Sequence, residues 1–344
     1  MANMEKVLVA MSGGVDSAVA ALLLKEQGYG CAGAVMKLHG DGGAVRDAGA
    51  AAEALGLPFH VFDLSGEFQS GVVAPFIGAY RAGRTPNPCV DCNRLLKFGH
   101  FLRLAGELGY DSVATGHYAR VERDGARFLL KKGLDRSKDQ SYVLYALTQQ
   151  QLARVVFPLG GLSKEQAREM AAARNLAAAG KGESQDICFI PDGDYAGFIE
   201  RTAGKLFPKG RFVDTNGNDL GAHRGIVRYT VGQRRGLGLA HPEPLYVKEI
   251  RPEDNTVVVG TADTLYARTL TVKDVNLIAP DRLGAPLRAK VKIRYRHAEQ
   301  PAAVTPLGSD TLRIDFDEPQ RAITPGQAAV IYDGDVVVGG GTIL

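Results

Sequence analysis

Val7-Leu-Val-Ala-Met-Ser-Gly-Gly-Val-Asp-Ser17 is a short apolar run cut off by a turn of serines, glycines and an aspartate. Ala18 to Gln27 follows, rich in Ala and Leu, which is a helical composition. The reading is strand, glycine turn, helix. Such a turn aims the unpaired N–H groups of a helix N-terminus at one spot, and the helix dipole favours an anion there. Gly13 and Gly14 clear side chains from that spot, and Ser12 and Ser17 add hydroxyl donors. Asp16 suits an anion cradle only if a cation such as Mg²⁺ lies between it and a phosphate. The turn has no lysine, so it is not the P-loop, and it lacks the Gly-x-Gly-x-x-Gly of dinucleotide folds.

Working outward, residues 1–115 alternate between strand-like and helix-like pieces. Strands are predicted at Cys31–Leu38, Phe59–Leu64 and Ser112–Thr115, and helices at Arg46–Gly56, Phe68–Ala82 and Arg94–Leu108. This alternation predicts an α/β fold, a mostly parallel sheet with helices on both faces. Ligands of such sheets bind at the carboxyl ends of the strands, where Ser12, Met36 and Gly116-His117 fall. Tyr118–Lys132 reads as a hairpin around Asp124-Gly125, and Gln149–Phe157 and Ser163–Asn175 as helices. After about residue 200, short β-branched runs separated by Gly, Pro, Asp and Asn replace helical patterns. Three domains are expected: a catalytic α/β domain over 1–200, a small β domain over 201–265 and a C-terminal β-barrel over 266–344.

The 344 residues carry a formal net charge of +3, unevenly spread. Residues 201–235 hold eight Lys and Arg against Asp214 and Asp219, a local excess suited to a polyanion or to a solvated face. No charged segment followed by a long apolar stretch opens the chain, and no apolar run reaches membrane-spanning length. Four cysteines in a chain of this size point to a reducing, cytoplasmic setting in which thiols are reactive groups rather than staples.

Thr85-Pro-Asn-Pro-Cys89-Val-Asp-Cys92 brings two thiols to Cys-x-x-Cys spacing in a proline-stiffened loop ahead of a helix, whose N-terminus is expected to lower a thiol pKa. Cys188 lies far along, in Glu183-Ser-Gln-Asp-Ile-Cys-Phe-Ile190. A zinc site would want a fourth ligand, and none is evident. A sulfur-carrying persulfide and a [4Fe–4S] cluster on Cys89, Cys92 and Cys188 both fit the residue types.

Several stretches in order give these features a family. They are Ala10–Ser17, Ala79-Tyr-Arg-Ala-Gly-Arg-Thr-Pro-Asn-Pro88, Ala114-Thr-Gly-His-Tyr118, Lys138-Asp-Gln-Ser-Tyr142, Cys188-Phe-Ile190, Thr230-Val-Gly-Gln-Arg-Arg-Gly-Leu-Gly238, Arg294-Tyr295 and Thr324-Pro-Gly-Gln327. The glycine turn resembles the pyrophosphate loop of the N-type ATP pyrophosphatases. The whole chain resembles the bacterial tRNA-specific 2-thiouridylase family (MnmA, also called TrmU). The resemblance implies that the wobble uridine, U34, of a tRNA is flipped out, adenylated at O2 by ATP with Mg²⁺, and thiolated at C2 as AMP leaves. By the same resemblance, Ala10, Met11, Ser12, Gly13, Gly14, Val15, Asp16, Ser17, Met36 and Gly116 would bind ATP. Cys92 would be the nucleophile and Cys188 the persulfide bearer. Asn87, Pro88 and Cys89 would touch the target base, and His117, Lys138, Asp139, Gln140, Arg294, Tyr295 and Gln327 the tRNA. A cysteine desulfurase or sulfur-relay protein would deliver the sulfur.

Many family members carry aspartate where this chain has Cys89. A third thiol makes the pattern similar to related thiolases that use a [4Fe–4S] cluster, so the cluster stands as the alternative to the persulfide. Two rival classes are a ligase of the same superfamily acting on a small molecule, and a tRNA-binding protein with a relic loop.

Overall fold

The computed structural model describes residues 4–40, 42–174, 176 and 187–344. β1 (Lys6–Ala10) leads through the glycine turn into α1 (Val15–Glu26), β2 (Gly30–Lys37), α2 (Gly43–Ala54) and β3 (Phe59–Asp63). α3 (Ser65–Phe68) and α4 (Ala74–Arg81) are joined by a π-helical turn, Gln69–Val73. α5 (Pro88–Asp91) runs through a second π-helical stretch, Cys92–His100, into α6 (Phe101–Glu107). Then come β4 (Ser112–Ala114), β5 (Ala119–Asp124), β6 (Arg127–Lys132), α7 (Gln149–Leu152), β7 (Val155–Val156), α8 (Lys164–Ala173) and α9 (Tyr195–Ala203).

The first sheet has the order β3-β2-β1-β4-β7, with every pairing parallel. Val7, Leu8 and Val9 of β1 are fully buried because both faces are covered. Alternation along the strand sends Val7 and Val9 into a core with Ala18, Val19 and Leu22 of α1. Leu8 goes to the opposite core, with Phe101 and Leu102 of α6. Helices on both faces of a parallel sheet are what the sequence alternation predicts.

The remainder is built from β8 (Gly210–Val213), β9 (Asp219–His223), β10 (Tyr246–Arg251) and β11 (Thr256–Gly260), in the order β10-β11-β8-β9. After them come β12 (Tyr266–Leu277), β13 (Leu287–Lys292), β14 (Gln300–Pro306), β15 (Thr311–Arg321), β16 (Ala328–Asp333) and β17 (Val336–Ile343). β12 pairs with both β15 and β17, which closes these strands into a barrel. The hairpin β5–β6 is attached to that barrel through Val336 and Lys131. Tyr142 strengthens the seam, since its buried hydroxyl donates to Ala328 O at 2.8 Å.

Three local expectations are corrected. The helix expected from Arg94 begins at Pro88, because Asn87 caps it by accepting from Cys89 N and proline occupies its first position. Both thiols of the pair therefore sit in helix, not in the loop before it. The helix expected over Gln149–Phe157 stops after one turn, and Val155–Val156 becomes the outermost strand of the parallel sheet. The β-branched run Ile226–Val231, one of those that suggest strand after residue 200, instead holds a 3-10 turn over Ile226–Arg228. The expectation for Asn175, and for residues 183–186 ahead of Cys188, falls outside the described residues.

Tyr142→Phe is expected to lower stability by about 1–2 kcal/mol, because it leaves the buried Ala328 carbonyl without its donor. Urea unfolding followed by circular dichroism measures this, and an unchanged midpoint would show that the seam does not depend on that bond.

Candidate active site

The parallel arrangement places the carboxyl ends of β1, β2 and β4 side by side, and the glycine turn leaves the first of them. Gly14 is the N-cap of α1 and, having no side chain, leaves the first-turn N–H groups without a side-chain cap. Gly13 adopts φ +76°, and a Cβ there would lie 2.4 Å from Asp47 Cβ. Ser12 N–H donates to Ser17 Oγ at 3.1 Å, and Ser17 Oγ donates to Gly14 O at 3.0 Å, so the turn is wound on its own serines. Gly116 packs directly on it: a Cβ would lie 2.7 Å from Asp16 C and 2.9 Å from Ser17 N. Met11 is buried, its N–H donating to Ala34 O, and Ala10 and Met36 pack against the core beside Leu8.

Asp16 is not left open. Lys164 Nζ lies 2.7 Å from both of its carboxylate oxygens, and the Tyr118 hydroxyl donates to Oδ1 at 2.9 Å. Lys164 is 8% exposed and is the first residue of α8, capped by Ser163 in the capping box expected from the sequence. Sequence reasoning found that cap and missed what it presents. The lysine absent from the glycine turn comes from a helix almost 150 residues later in the chain, and only the fold reveals it.

A cavity of about 990 Å³ opens above the turn. Ser12 to Asp16 and Lys164 form one wall, Arg136, Ser137, Lys138, Asp139 and Gln140 another. Lys292, Tyr295, Arg296 and His297 of the barrel complete it. The residues assigned to tRNA are thus unequally placed. Lys138 and Tyr295 face the cavity, while Asp139 accepts from Gly133 N, Ser141 N and Ser141 Oγ and shapes the loop. Gln140 Oε1 accepts from Tyr118 N. The Arg294 guanidinium is held by Ala322 O and Thr324 Oγ1, and Gln327 donates to Thr85 O at 2.7 Å. His117 is buried between Phe98 and Phe157, with Nδ1 2.7 Å from Thr115 Oγ1. Burial, helped by the charge of Lys97, pushes its pKa well down and keeps the ring neutral.

The thiols form the second half of the site. Cys92 is buried in a core with Phe68, Phe76, Leu96, Phe189 and Ile190, and Phe189 meets both Phe68 and Phe76 edge-on. That packing brings Cys188 to the helix that carries Cys89 and Cys92. The Cys188 thiol feels the charge of both, and Lys97 acts on all three. Helix placement predicts lowered thiol pKa values, but the structure gives the opposite direction. Burial outweighs Lys97, raising Cys89 and Cys92 and pushing Cys188 up to about 11. Cys89 and Cys188 keep exposed surface, yet the chain packed around their sulfurs controls the charge. Among the described residues no three His, Cys, Asp or Glu side chains are gathered to hold a metal ion. Tyr295 joins the two halves: it lines the cavity, and its hydroxyl is pushed up by burial and by Asp139 and Cys89.

Cys188 reacts only as thiolate, so its raised pKa sets the sign of its pH dependence. Alkylation by iodoacetamide should still rise about tenfold per pH unit between pH 8 and 9.5, where an ordinary thiol levels off. Mass-spectrometric rates at Cys188 provide the measurement, and a plateau near pH 8.5 would contradict it.

Residues 5–192 match the family described as tRNA methyl transferase HUP domain, residues 196–261 its PRC-barrel domain, and residues 267–343 an aminomethyltransferase β-barrel domain. A tRNA-specific 2-thiouridylase MnmA of Syntrophotalea carbinolica is 53% identical over 98% of both chains. One from Clostridioides difficile is 47% identical, also over 98% of both. A third, from Caldanaerobacter subterraneus, is 49% identical over 98% of this chain and 97% of its own. At this identity over essentially the full length, the chain belongs to the tRNA-specific 2-thiouridylase family.

Proposed function

We propose that this chain is the tRNA-uridine 2-sulfurtransferase that thiolates the wobble uridine, U34, at the expense of ATP. The observation that carries the reading is the position of Tyr295, which faces the glycine-turn cavity and is also within the electrostatic reach of Cys89. A nucleobase at that junction has an activating phosphate on one side and thiols on the other. Methyl transfer, the wording of two matched domain descriptions, has no use for either half.

ATP occupies the uncapped first turn of α1, with Ala10–Ser17, Met36 and Gly116 around it, and Lys164 supplies the cation beside its phosphates. Mg²⁺ arrives as the counter-ion of ATP. Asp16 is already neutralised by Lys164 and offers no separate cation site in this arrangement. The uridine O2 attacks the α-phosphorus and pyrophosphate leaves. The terminal sulfur of a Cys188 persulfide attacks C2, and AMP departs with the oxygen. The Cys92 thiolate attacks the Cys188 sulfur, leaving sulfur on C2 and a Cys92–Cys188 disulfide, which an external thiol reduces. Asn87, Pro88 and Cys89 are proposed to border the base, and His117, Lys138–Gln140, Arg294, Tyr295 and Gln327 to order the tRNA. For His117, Arg294 and Gln327, buried or internally bonded here, that role acts through the local fold.

The proposed division of labour gives catalysis to residues 1–200 and substrate support to 201–265 and 266–344. The proposed sulfur source is a cysteine desulfurase or relay protein in the cytoplasm. Among the described residues no helix is long and apolar enough to cross a membrane.

A second reading keeps the product but places sulfur on a [4Fe–4S] cluster at Cys89, Cys92 and Cys188, which the third thiol of the site favours. The donor atoms suit iron, but among the described residues they are not gathered around a metal position. Anaerobically purified protein holding about four irons per chain would support it; colourless, iron-free and active protein would remove it.

The reading is tested by incubating unmodified tRNA with ATP, a persulfide donor and the enzyme, followed by nucleoside analysis. Wild type should form 2-thiouridine. Cys92→Ser and Asp16→Ala should each lose at least about a hundredfold, the first without loss of ATP binding. Unchanged turnover in Cys92→Ser would favour a small-molecule ligase instead.

A further inference from the structure

Lys292 ends β13, pairing with Val330 of β16, and its side chain enters the cavity from the barrel side. Its ammonium lies 5.7 Å from the ring centres of both Tyr142 and Tyr295, which are 6.0 Å from each other. Tyr142 is fully buried and anchored on Ala328 O, so this platform is rigid. Two carboxylates stand near enough to act on Lys292, and both are engaged elsewhere. Asp139 accepts three hydrogen bonds within the 133–141 loop, and Glu299 pairs with Lys132 at 2.6 Å. Among the described residues Lys292 forms no ion pair. Half burial of a cation whose nearby carboxylates are bonded elsewhere is costly, and cation–π contacts offset only part of the cost. An anion at Lys292 would meet its charge directly.

The location narrows which anion. Tyr295 is 38% exposed, lines the cavity over the glycine turn and lies near enough to Cys89 for its charge to act on the hydroxyl. A base stacked on that ring carries its own backbone phosphate within reach of the lysine beside it, the pairing by which single-stranded RNA is held. We propose that Lys292 binds the backbone phosphate of the target nucleotide while Tyr295 supports its base, so that the barrel presents the nucleotide to the catalytic domain. This rests on the reading of the cavity as the meeting place of ATP and tRNA. Phosphate chemistry is shared with ATP, whose phosphates are the competing occupant.

The test compares wild type with Lys292→Gln and Lys292→Arg. It measures tRNA affinity as a function of KCl and, separately, affinity for Mg·ATP. Removing one phosphate contact should weaken tRNA binding and reduce the slope of log affinity against log salt by about one, with ATP affinity unchanged within twofold. Lys292→Arg should restore the slope. Weaker binding with an unchanged slope would overturn the proposal in favour of a merely structural lysine. A loss of ATP affinity with tRNA binding intact would overturn it in favour of the ATP phosphates. A wild-type enzyme without salt-dependent tRNA binding would overturn the underlying function as well.

Discussion

Asp16 and Lys164 hold the site in its present form. Their contact ties the first turn of α1 to the first turn of α8, and the Tyr118 hydroxyl brings in the connection after β4. A lysine this buried is tolerable because its charge is met by both carboxylate oxygens; breaking such a pair from one side typically costs about 3–5 kcal/mol. The same contact sets the charge of the anion cradle. An unpaired Asp16 carboxylate would repel phosphate, whereas a neutralised one leaves the α1 dipole and the backbone N–H groups to dominate.

The barrel acts as the other jaw of the site. Thr85 N–H donates to Pro325 O, and Gln327 donates to Thr85 O, so a barrel turn clasps the chain just before the Cys89–Cys92 helix. The clasp has no spare room: a Cβ on Gly326, at φ +90°, would lie 3.0 Å from Arg84 Cβ and Thr85 N. With Tyr142 bonded to Ala328 O and β6 attached to β17, the two parts share a seam from the thiol helix to the hairpin. Side chains in the 292–298 segment can therefore wall a cavity whose floor belongs to the glycine turn.

Much of this was legible in the chain because it depends on local chemistry. Alternating strands and helices, the Ser12–Ser17 turn and the Ser163 capping box each need only a few neighbouring residues. Asn87-Pro88 was equally local, an N-cap followed by proline, and reading it as loop displaced the helix start past both cysteines. The Lys164–Asp16 pair, the Gln327–Thr85 clasp and the burial of His117 were not legible, because each depends on contacts between distant segments. The Cys-x-x-Cys helix shows the same limit in its electrostatics. Sequence gives the helix and its favourable dipole, but the desolvation that reverses the shift comes from Phe189, Ile190 and the small β domain packed around it.

That reversal bears on how a two-thiol mechanism avoids defeating itself. Two reactive thiolates side by side would be open to disulfide formation by any oxidant that reached them before substrate. Burial keeps Cys92 and Cys188 protonated and therefore slow, while Lys97 opposes the shift at both. A persulfide is a stronger acid than its parent thiol, so the sulfur loading proposed for Cys188 would lower the cost of ionisation at a residue exposed to a donor. In that proposed mechanism Cys92, which is buried, need act only after C2 has accepted sulfur. In the proposed mechanism reactivity is thereby tied to the sulfur-loaded state of Cys188, with Lys97 opposing the cost of ionisation at both thiols.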